Sequence, residues 1–374
     1  MQHLIYADNA ATTQMDTDAF EAMKPYLLQE YGNVSQPYSF ARQPKKAIQE
    51  ARETIASCIG ALPEEIFFTS GGTESNNWAI KGIAFQNHNH LATITTAFEH
   101  HAVLHACEAI ERLGYPVTYM WPDKNGQISP ETLEQHITDN TLLVSVMYAN
   151  NEIGSVQPIK ELCEVAHVHG ALFHTDAVQA IGHVKIDVND LDVDMLSASA
   201  HKFNGAKGVG FLFIRKGTPI ASYADGGAQE QSLRAGTENV AGIVSMAVAL
   251  KHNVDTLYKN QYHILNLERK LLNNLTQKEI LFTRNGGTNI LPGIISLSFS
   301  GADGEAILHR LDLMGIAIST GSACNSIRTE ISHVLKAIGL EESLAKGTIR
   351  ISLGKRNTAE DIDAIVSGLE KILT

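Results

Sequence analysis

Two kinds of hydrophobic pattern alternate along the chain, one typical of helices and the other of buried strands. Over residues 40–59 the apolar positions Ile48, Ile55 and Ile59 recur at helical spacing. Residues 142–148 form instead a short, largely apolar run, which favours a buried strand. The repeated alternation of strand and helix predicts an α/β fold with a mostly parallel central sheet and helices on both faces.

The predicted elements divide the chain into a large and a small domain. Strands are predicted at 5–13 (ending in a polar turn), 65–68, 91–95, 116–120, 142–148, 171–174, 193–197 and 209–214, and helices at 17–30, 40–59, from about 73, 101–113 and 159–169. A long, largely helical segment at 240–275 would connect the domains. Strands at 294–299, 316–319 and 348–353, with 331–338 and helices after 303 and 358, then predict a small α+β domain. We expect a large domain at 15–257 and a small one formed by 1–14 and 258–374.

The composition and charge of the chain argue against nucleic-acid-binding, secreted and membrane proteins. Of 374 residues, 44% are hydrophobic and 19% are charged, which is ordinary globular composition. The formal net charge is −12 and the chain has no run of Lys or Arg, so direct nucleic-acid binding is not expected. The sequence shows no secretory signal pattern and no apolar run of membrane-spanning length. A cytoplasmic protein without membrane contact is therefore expected.

The four cysteines have no paired spacing, which is typical of a reducing compartment. Cys58, Cys107 and Cys163 lie on apolar helical faces, which favours core packing. Cys324 differs, because it stands among small and polar residues in STGSACNS. A thiol in such a segment could act on a bound substrate.

The stretch SASAHKFNGAKGVGF (197–211) places reactive side chains at the end of a predicted strand. His201 and Lys202 stand side by side, followed by glycine turns. Partial burial lowers the pKa of a lysine and favours its nucleophilic amine, as Schiff-base chemistry requires. Taken alone, the stretch is equally compatible with an ordinary exposed lysine at a strand end.

A second glycine-rich stretch, TSGGTESNN (69–77), follows another predicted strand. A strand, a Gly-Gly turn and a helix beginning near Thr73 can form a phosphate cradle, because backbone N–H groups and the helix N-terminus favour an anion. Alternatively, Thr73 simply caps a helix.

Polar residues cluster where the predicted strands end, at the edge where open α/β sheets bind ligands. They are Thr73, His100, Asn151, Asp176, Gln179, Ser199, His201 and Lys202. A lysine for the aldehyde, an acid for the pyridine nitrogen and a glycine-rich helix start for the phosphate are the groups that a pyridoxal phosphate site requires.

Seven motifs carry a resemblance to a known family. TSGGTESNN, TAFEHHAVL, NNEIGSVQP, FHTDAVQAIG, SASAHKFNGAKGVG, GGAQEQSLRAGTENV and STGSACNS resemble, in order, those of the cysteine desulfurases of the nitrogen-fixation and iron–sulfur-cluster type. These enzymes belong to the class V aminotransferase group with the fold-type I architecture. The loop that contains Cys324 is similar in length to that of the long-loop branch of these enzymes. The resemblance runs from Tyr6 to about Ile362.

The resemblance implies a role for each site residue. Lys202 would hold the cofactor covalently, Asp176 would pair with the pyridine nitrogen, and His100 would stack on the ring and could shuttle protons. Gln179 would contact the ring hydroxyl of the cofactor. The cofactor phosphate would be bound by Gly72, Thr73, Ser199 and His201, and by Thr237 from the other subunit of a homodimer. Asn151 and Arg350 would bind the substrate carboxylate. Asn151 would also contact the cofactor.

For Cys324 the resemblance implies attack on the sulfur of L-cysteine, which yields a persulfide and L-alanine. The sulfur acceptor would be a protein such as an iron–sulfur scaffold or a sulfur carrier, in cluster assembly or in the thiolation of a cofactor or tRNA. Some positions depart from the family pattern. The loop at 32–39 has Tyr38 near the place of a usual histidine, Ala206 replaces a proline, and Gln231 replaces an arginine.

Several alternatives stay open. A selenocysteine lyase, or another pyridoxal phosphate-dependent lyase or aminotransferase of the same fold, would share most of these residues. His101 and His105, spaced i, i+4, could instead indicate a metal-dependent hydrolase, although no third ligand is evident. A scaffold protein that has lost catalysis is a third alternative. Arg350 could also be a strand-edge arginine paired with a surface acid.

Overall fold

A computed structural model describes residues 4–87, 91–320 and 331–374. Its strands are β1 (Ile5–Tyr6), β2 (Ile66–Thr69), β3 (Ala92–Thr96), β4 (Val117–Met120), β5 (Thr141–Ser145), β6 (Leu172–Asp176), β7 (Met195–Ser199), β8 (Gly210–Ile214), β9 (Thr283–Arg284), β10 (Ile294–Ser298), β11 (Ile316–Ala317) and β12 (Thr348–Ser352). Its helices are α1 (Thr17–Leu28), α2 (Arg42–Ile59), α3 (Gly72–Gln86), α4 (His101–Glu111), α5 (Pro130–Glu134), α6 (Ile159–Val168), α7 (Val188–Leu191), α8 (Val240–Asp255), α9 (Leu257–Gln277), α10 (Gly304–Asp312), α11 (His333–Ala337), α12 (Glu342–Lys346) and α13 (Ala359–Leu373).

Seven strands form the central sheet, in the order β2-β8-β7-β6-β5-β3-β4. Strand β8 runs antiparallel to both of its neighbours, and the remaining pairs are parallel. Successive residues of β8 point to opposite faces: Phe211 and Phe213 join one hydrophobic cluster, and Leu212 and Ile214 join another. Helices α2, α6 and α8 supply the first cluster, and α3 and α4 supply the second. The predicted α/β architecture with helices on both faces is therefore confirmed.

A separate hydrophobic core lies in the C-terminal part of the chain. The antiparallel sheet β12-β10-β9 packs there with α9, α10 and α13. Strand β1 belongs to the same core because it pairs in parallel with β11, Ile5 opposite Ile316. This arrangement supports, as a proposal, the domain division into 15–257 and into 1–14 with 258–374.

The predicted helical segment at 240–275 consists of two helices. Helix α8 ends at Asp255, and α9 begins at Leu257. The Oγ1 of Thr256 donates a hydrogen bond to the carbonyl oxygen of His252 at 2.7 Å, and such back-bonding competes with the regular helix. The short elements α5, α7, α12 and β9, of two to five residues, were not predicted. Within the described ranges, no helix has both the length and the apolar character that crossing a bilayer requires.

Candidate active site

A cavity of about 580 Å³ opens at the carboxyl ends of β6 and β7. Ten of the predicted site residues line it: Gly72, Thr73, His100, Asn151, Asp176, Gln179, Ser199, His201, Lys202 and Arg350. Thr237 does not; it is exposed in a neighbouring pocket that shares Ser70 and Gly208 with the cavity. Cys324 lies outside the described residues. The structure thus brings together side chains that are separated by up to 278 positions in the sequence, from Gly72 to Arg350.

Lys202 stands at the end of a short turn that follows β7, which directs the chain out of the sheet. Its Nζ donates hydrogen bonds to the carbonyl oxygens of Ala10 at 2.5 Å and Ala11 at 2.9 Å. The carbonyl oxygen of Ala10 also accepts a hydrogen bond from Nε2 of Gln179 at 2.9 Å. The N-terminal segment therefore forms one wall of the site, which the sequence analysis did not anticipate.

Asp176 is the last residue of β6 and is held by two donors. Asn76 Nδ2 donates to its Oδ2 at 2.6 Å, and the backbone N–H of Val178 donates to its Oδ1 at 3.0 Å. The Oδ1 of Asn76 is buried and has no hydrogen-bond partner within the described part of the chain. Asn76 lines the cavity. A buried acceptor without a partner at this position indicates a ligand with a hydrogen-bond donor.

The glycine-rich turn allows three backbones to approach one another closely. Gly71 has φ +148°, and a Cβ at Gly210 on β8 would lie 2.7 Å from the Cα of Gly71 and 2.4 Å from the carbonyl oxygen of Ala198. Helix α3 begins at Gly72, and its N-cap residue Gly71 provides no side-chain cap. The first N–H groups of the helix therefore remain available to an anion in the cavity. The alternative in which Thr73 is the N-cap is wrong.

Both histidines in the lining of the cavity have a pKa below the ordinary value of 6.5. His100 accepts a hydrogen bond on Nδ1 from the backbone N–H of Ala102 at 3.1 Å, and burial lowers its pKa, with Asp176 acting in the opposite sense. His201 Nδ1 lies 3.1 Å from the Thr12 hydroxyl. Burial, and secondarily Lys202, lower the pKa of His201 to about 4. A neutral imidazole has one ring nitrogen that can accept a proton or a hydrogen bond and one N–H that can donate.

Arg350 is buried, with 5% of its side chain exposed. Its Nη2 donates to Oδ1 of Asp8 at 2.7 Å, and its Nη1 donates to the carbonyl oxygen of Asn151 at 2.9 Å. Its Nε is buried and has no partner among the residues that the structure describes. The alternative of a surface ion pair is therefore wrong, because Arg350 is buried and lines the cavity.

On either side of the segment 321–330 the chain is held by hydrogen bonds, to Arg350 on one side and to Glu152, the neighbour of Asn151, on the other. The backbones of Ser319 and Arg350 exchange hydrogen bonds of 3.0 and 2.7 Å. On the other side, the Ser332 hydroxyl donates to Oε2 of the buried Glu152 at 2.5 Å. Burial raises the pKa of Glu152 to about 7, and the Ser332 hydrogen bond and the Arg350 charge moderate that shift.

The segment with Thr237 is stabilised by a buried ion pair. Glu230, Gln231 and Ser232 all have positive φ, at 43°, 57° and 65°. Arg52 holds Glu230 with two hydrogen bonds, of 2.9 and 2.7 Å, and the backbone N–H of Phe68 donates to the same carboxylate at 2.9 Å. This pair has no local pattern in the sequence, where Gln231 stands out only as a departure from a motif.

The alternative of a metal-dependent hydrolase requires a set of metal ligands, and the described residues do not provide one. The ring centroids of His101 and His105 are 5.2 Å apart. Over residues 4–87, 91–320 and 331–374, no three His, Cys, Asp or Glu side chains are arranged to hold a metal ion.

The residues present fit pyridoxal phosphate. The cavity joins a lysine at a strand end, a carboxylate with two fixed donors, and an uncapped helix N-terminus at a glycine turn. The unpartnered Oδ1 of Asn76 and the space that glycines leave beside β8 are further signs of a bound group. The lysine, the carboxylate and the helix N-terminus match the three groups that this cofactor requires: one for its aldehyde, one for its pyridine nitrogen and one for its phosphate.

Comparisons with known proteins agree with this site. The class V aminotransferase family model matches residues 5–365. The chain is 46% identical to the cysteine desulfurase IscS of Dictyoglomus turgidum, covering 100% of this chain and 95% of that protein, and 44% identical to the putative cysteine desulfurase IscS 1 of Bacillus subtilis, covering 96% and 95%. Among solved structures it resembles a NifS-like protein (TM-score 0.93, 38% identity, 99% of both chains) and SspA in complex with cysteine (TM-score 0.84, 38% identity, 95% and 100%). These relatives favour a cysteine desulfurase over a selenocysteine lyase.

Proposed function

The chain belongs to the class V aminotransferase family and, within it, to the cysteine desulfurases, and from this premise we propose how its cavity works. L-cysteine is converted to L-alanine, and its sulfur is transferred to Cys324 as a persulfide. The observation that carries the proposal is that Lys202, Asp176 and Arg350 converge on one cavity.

Pyridoxal phosphate, when bound, supplies an electron sink that stabilises negative charge on the substrate Cα. Lys202 would hold its aldehyde. Asp176, fixed by Asn76 and Val178, would keep the pyridine nitrogen protonated. Gln179 would contact the ring hydroxyl, and the phosphate would be held by Gly72, Thr73, Ser199 and His201, with Thr237 supplied by a second subunit.

The substrate carboxylate would bind to Arg350 and Asn151. A guanidinium suits this task because its donors match the geometry of a carboxylate. Fixing the carboxylate orients the substrate Cα toward Nζ of Lys202, which would accept the Cα proton once it is a free amine. His100 would contact the cofactor ring and, as a neutral imidazole, could accept and return a proton.

Cys324 would complete the reaction as a thiolate. Its Sγ forms a bond to the substrate sulfur while the carbon–sulfur bond breaks, and the electron pair of that bond stays with the carbon. Protonation of the carbon skeleton and release from the site yield L-alanine, so the step needs no external oxidant or reductant. The fixed positions of Ser319 and Ser332 support this role, because the Ser319 backbone is hydrogen-bonded to the cavity residue Arg350, and Ser332 to Glu152, the neighbour of the cavity residue Asn151.

The test compares the wild type with Cys324→Ala and with the control Cys58→Ala, each given L-cysteine and a reductant. Cys58 is half-buried on α2 and packs against the core, so its variant should retain activity. We expect alanine and sulfide from the wild type and the control, and neither from Cys324→Ala. Full activity of Cys324→Ala would contradict the persulfide and would point to a lyase.

We also propose a sulfur-acceptor protein, a homodimer and a cytoplasmic location. A persulfide requires an acceptor such as an iron–sulfur scaffold or a sulfur carrier, and the net charge of −12 makes direct transfer to nucleic acid unfavourable. The exposure of Thr237 outside its own cavity supports a dimer in which each chain completes the other's phosphate site. The free thiols of Cys58, Cys107 and Cys163 support a reducing compartment. Light scattering of the purified protein tests the dimer.

A further inference from the structure

The N-terminal segment Asp8–Thr13 contacts four of the functional side chains. Its carbonyl oxygens accept from Lys202 and Gln179, and Thr12 lies beside His201. At its start, Asp8 accepts a hydrogen bond from Nη2 of Arg350 at 2.7 Å. The family resemblance assigns no role to this segment.

Asp8 is fixed by its backbone as well as by its side chain. It forms a β-bridge with Ser352, two residues beyond Arg350 on β12. Its carbonyl oxygen accepts from the Tyr6 hydroxyl at 3.0 Å and from the backbone N–H of Ala11 at 3.0 Å. The carboxylate is therefore presented to Arg350 from a defined position, and the orientation of the ion pair is set by the fold.

Arg350 requires a negative partner because its guanidinium is buried. Among the described residues, two carboxyl groups interact with it, Asp8 in direct contact and Glu152 at longer range. Burial raises the pKa of Glu152 to about 7, so that carboxyl is largely protonated in slightly acidic solution. Tyr6 is the third ionisable group nearby, and its pKa is raised by burial, which keeps it neutral. Among the described residues, Asp8 is the carboxylate in direct contact with the guanidinium, and it is therefore the principal counter-charge there.

Two of the three guanidinium nitrogens of Arg350 are hydrogen-bonded to other parts of the chain. Asp8 occupies Nη2 and the Asn151 carbonyl occupies Nη1, so two corners of the planar group are fixed. The third nitrogen, Nε, is buried and has no partner among the described residues. A guanidinium held at two corners loses little conformational entropy when a carboxylate binds to its remaining donors.

We infer that Asp8 is a positioning residue for substrate recognition: it holds Arg350 in the orientation that selects an α-carboxylate. This inference rests on the proposed function, since it assumes that Arg350 receives the carboxylate of L-cysteine. If Asp8 instead competed with the substrate for the same donors, its removal would lower KM. The two relations predict changes of opposite sign in KM.

The experiment compares Asp8→Asn and Asp8→Glu with the wild type, on L-cysteine and on cysteamine, which lacks the carboxylate. For Asp8→Asn we expect KM for L-cysteine to rise about 10-fold to 100-fold, the range of a lost charge-assisted hydrogen bond. The kinetics with cysteamine should stay within about twofold, because no carboxylate is recognised. Asp8→Glu keeps the charge and should recover part of the loss.

Asp16→Asn is the matched control. Asp16 is another aspartate of the N-terminal part that pairs with a cation, Lys355 at 2.7 Å, but Lys355, unlike Arg350, does not line the cavity. Its variant should lose stability without a change in the preference for L-cysteine over cysteamine. Equilibrium binding of L-alanine to Asp8→Asn, followed by absorbance, gives a second readout and should weaken by the same factor as KM.

The outcomes separate this inference from the proposed function. A wild type that converts L-cysteine to neither alanine nor sulfide would overturn the proposed function itself. An active wild type whose Asp8→Asn variant shows an unchanged or lower KM for L-cysteine would overturn only the positioning role. An equal loss with both substrates would also overturn it, since a merely structural defect acts on both.

Discussion

Replacing Glu152 by glutamine should stabilise the protein at neutral and alkaline pH but have little effect at acidic pH. Glu152 is 6% exposed, and its carboxyl accepts a hydrogen bond from the Ser332 hydroxyl at 2.5 Å. Burial raises its pKa from the ordinary value of 4.5 to about 7. Glutamine has nearly the same shape, can accept the same hydrogen bond and never ionises.

The sign and size of the effect follow from the two protonation equilibria. Below pH 4.5 the carboxyl is protonated in both the folded and the unfolded chain, so its full contribution to stability is present. As the pH rises from there to about 7, the unfolded chain ionises first and this stability is progressively lost. The difference between the two pKa values corresponds to about 3 kcal/mol, reached above pH 7.

Thermal unfolding of the wild type and Glu152→Gln at pH 5, 6.5 and 8 measures this effect, because every other titrating group is common to both proteins. A chain of 374 residues has an unfolding entropy near 0.8 kcal/mol/K, so 3 kcal/mol corresponds to about 4 °C in Tm. The variant should therefore unfold about 4 °C higher at pH 8 and close to the wild type at pH 5.

The matched control is Glu164→Gln, which removes an exposed carboxyl on α6. Its Tm difference from the wild type should be small, because an exposed side chain makes little contribution to stability. The reasoning would be refuted if Glu152→Gln shifted Tm equally at all three pH values, or if it were less stable than the wild type at pH 8. Either result would mean that the ionised carboxylate of Glu152 is stabilised in the folded protein, with Arg350 as the nearest source of that stabilisation.

Three further substitutions test the local interpretation. Ser232→Gly should raise the free energy of unfolding by up to about 1 kcal/mol, because glycine adopts the left-handed φ of 65° without strain; an unchanged denaturation midpoint would argue against strain in this turn. Glu230→Gln should lower stability by about 2 to 4 kcal/mol, since it leaves the charge of Arg52 largely buried and unpaired; thermal unfolding measures it, and wild-type Tm would contradict it. Asn76→Ala should weaken equilibrium binding of pyridoxal phosphate about tenfold by releasing one oxygen of Asp176; an absorbance titration that gave the wild-type affinity would show that Asn76 does not position this carboxylate.

Local patterns in the sequence account for much of the fold. The run that became β8 is apolar at every position of Phe211–Ile214, and a strand that is buried on both faces needs no other signal. The periodic spacing at Ile48, Ile55 and Ile59 likewise predicted α2, whose C-cap is Gly60 in a left-handed conformation. Residues at strand ends could be grouped into a site because parallel strands bring their carboxyl ends to one edge.

Contacts between distant parts of the chain could not be predicted in this way. Asp8 and Arg350 are 342 positions apart, and Arg52 and Glu230 are 178 apart. Neither pair has a local pattern, since each depends on how separate elements pack. The polar turn after β1 was visible in the sequence, but its role became evident only when β1 was found paired with β11. For the same reason, the antiparallel direction of β8 could not be read from its composition.

The most direct test of the account is to locate the cofactor on the chain. The purified protein is incubated with pyridoxal phosphate and treated with borohydride, which makes the lysine linkage permanent, and its peptides are then analysed by mass spectrometry. Two lysines line the cavity, Lys202 and Lys207, so the experiment discriminates between them. We expect modification of Lys202 in the wild type and no modification at this position in Lys202→Ala. Modification of Lys207 in the wild type, or of no cavity lysine, would contradict it.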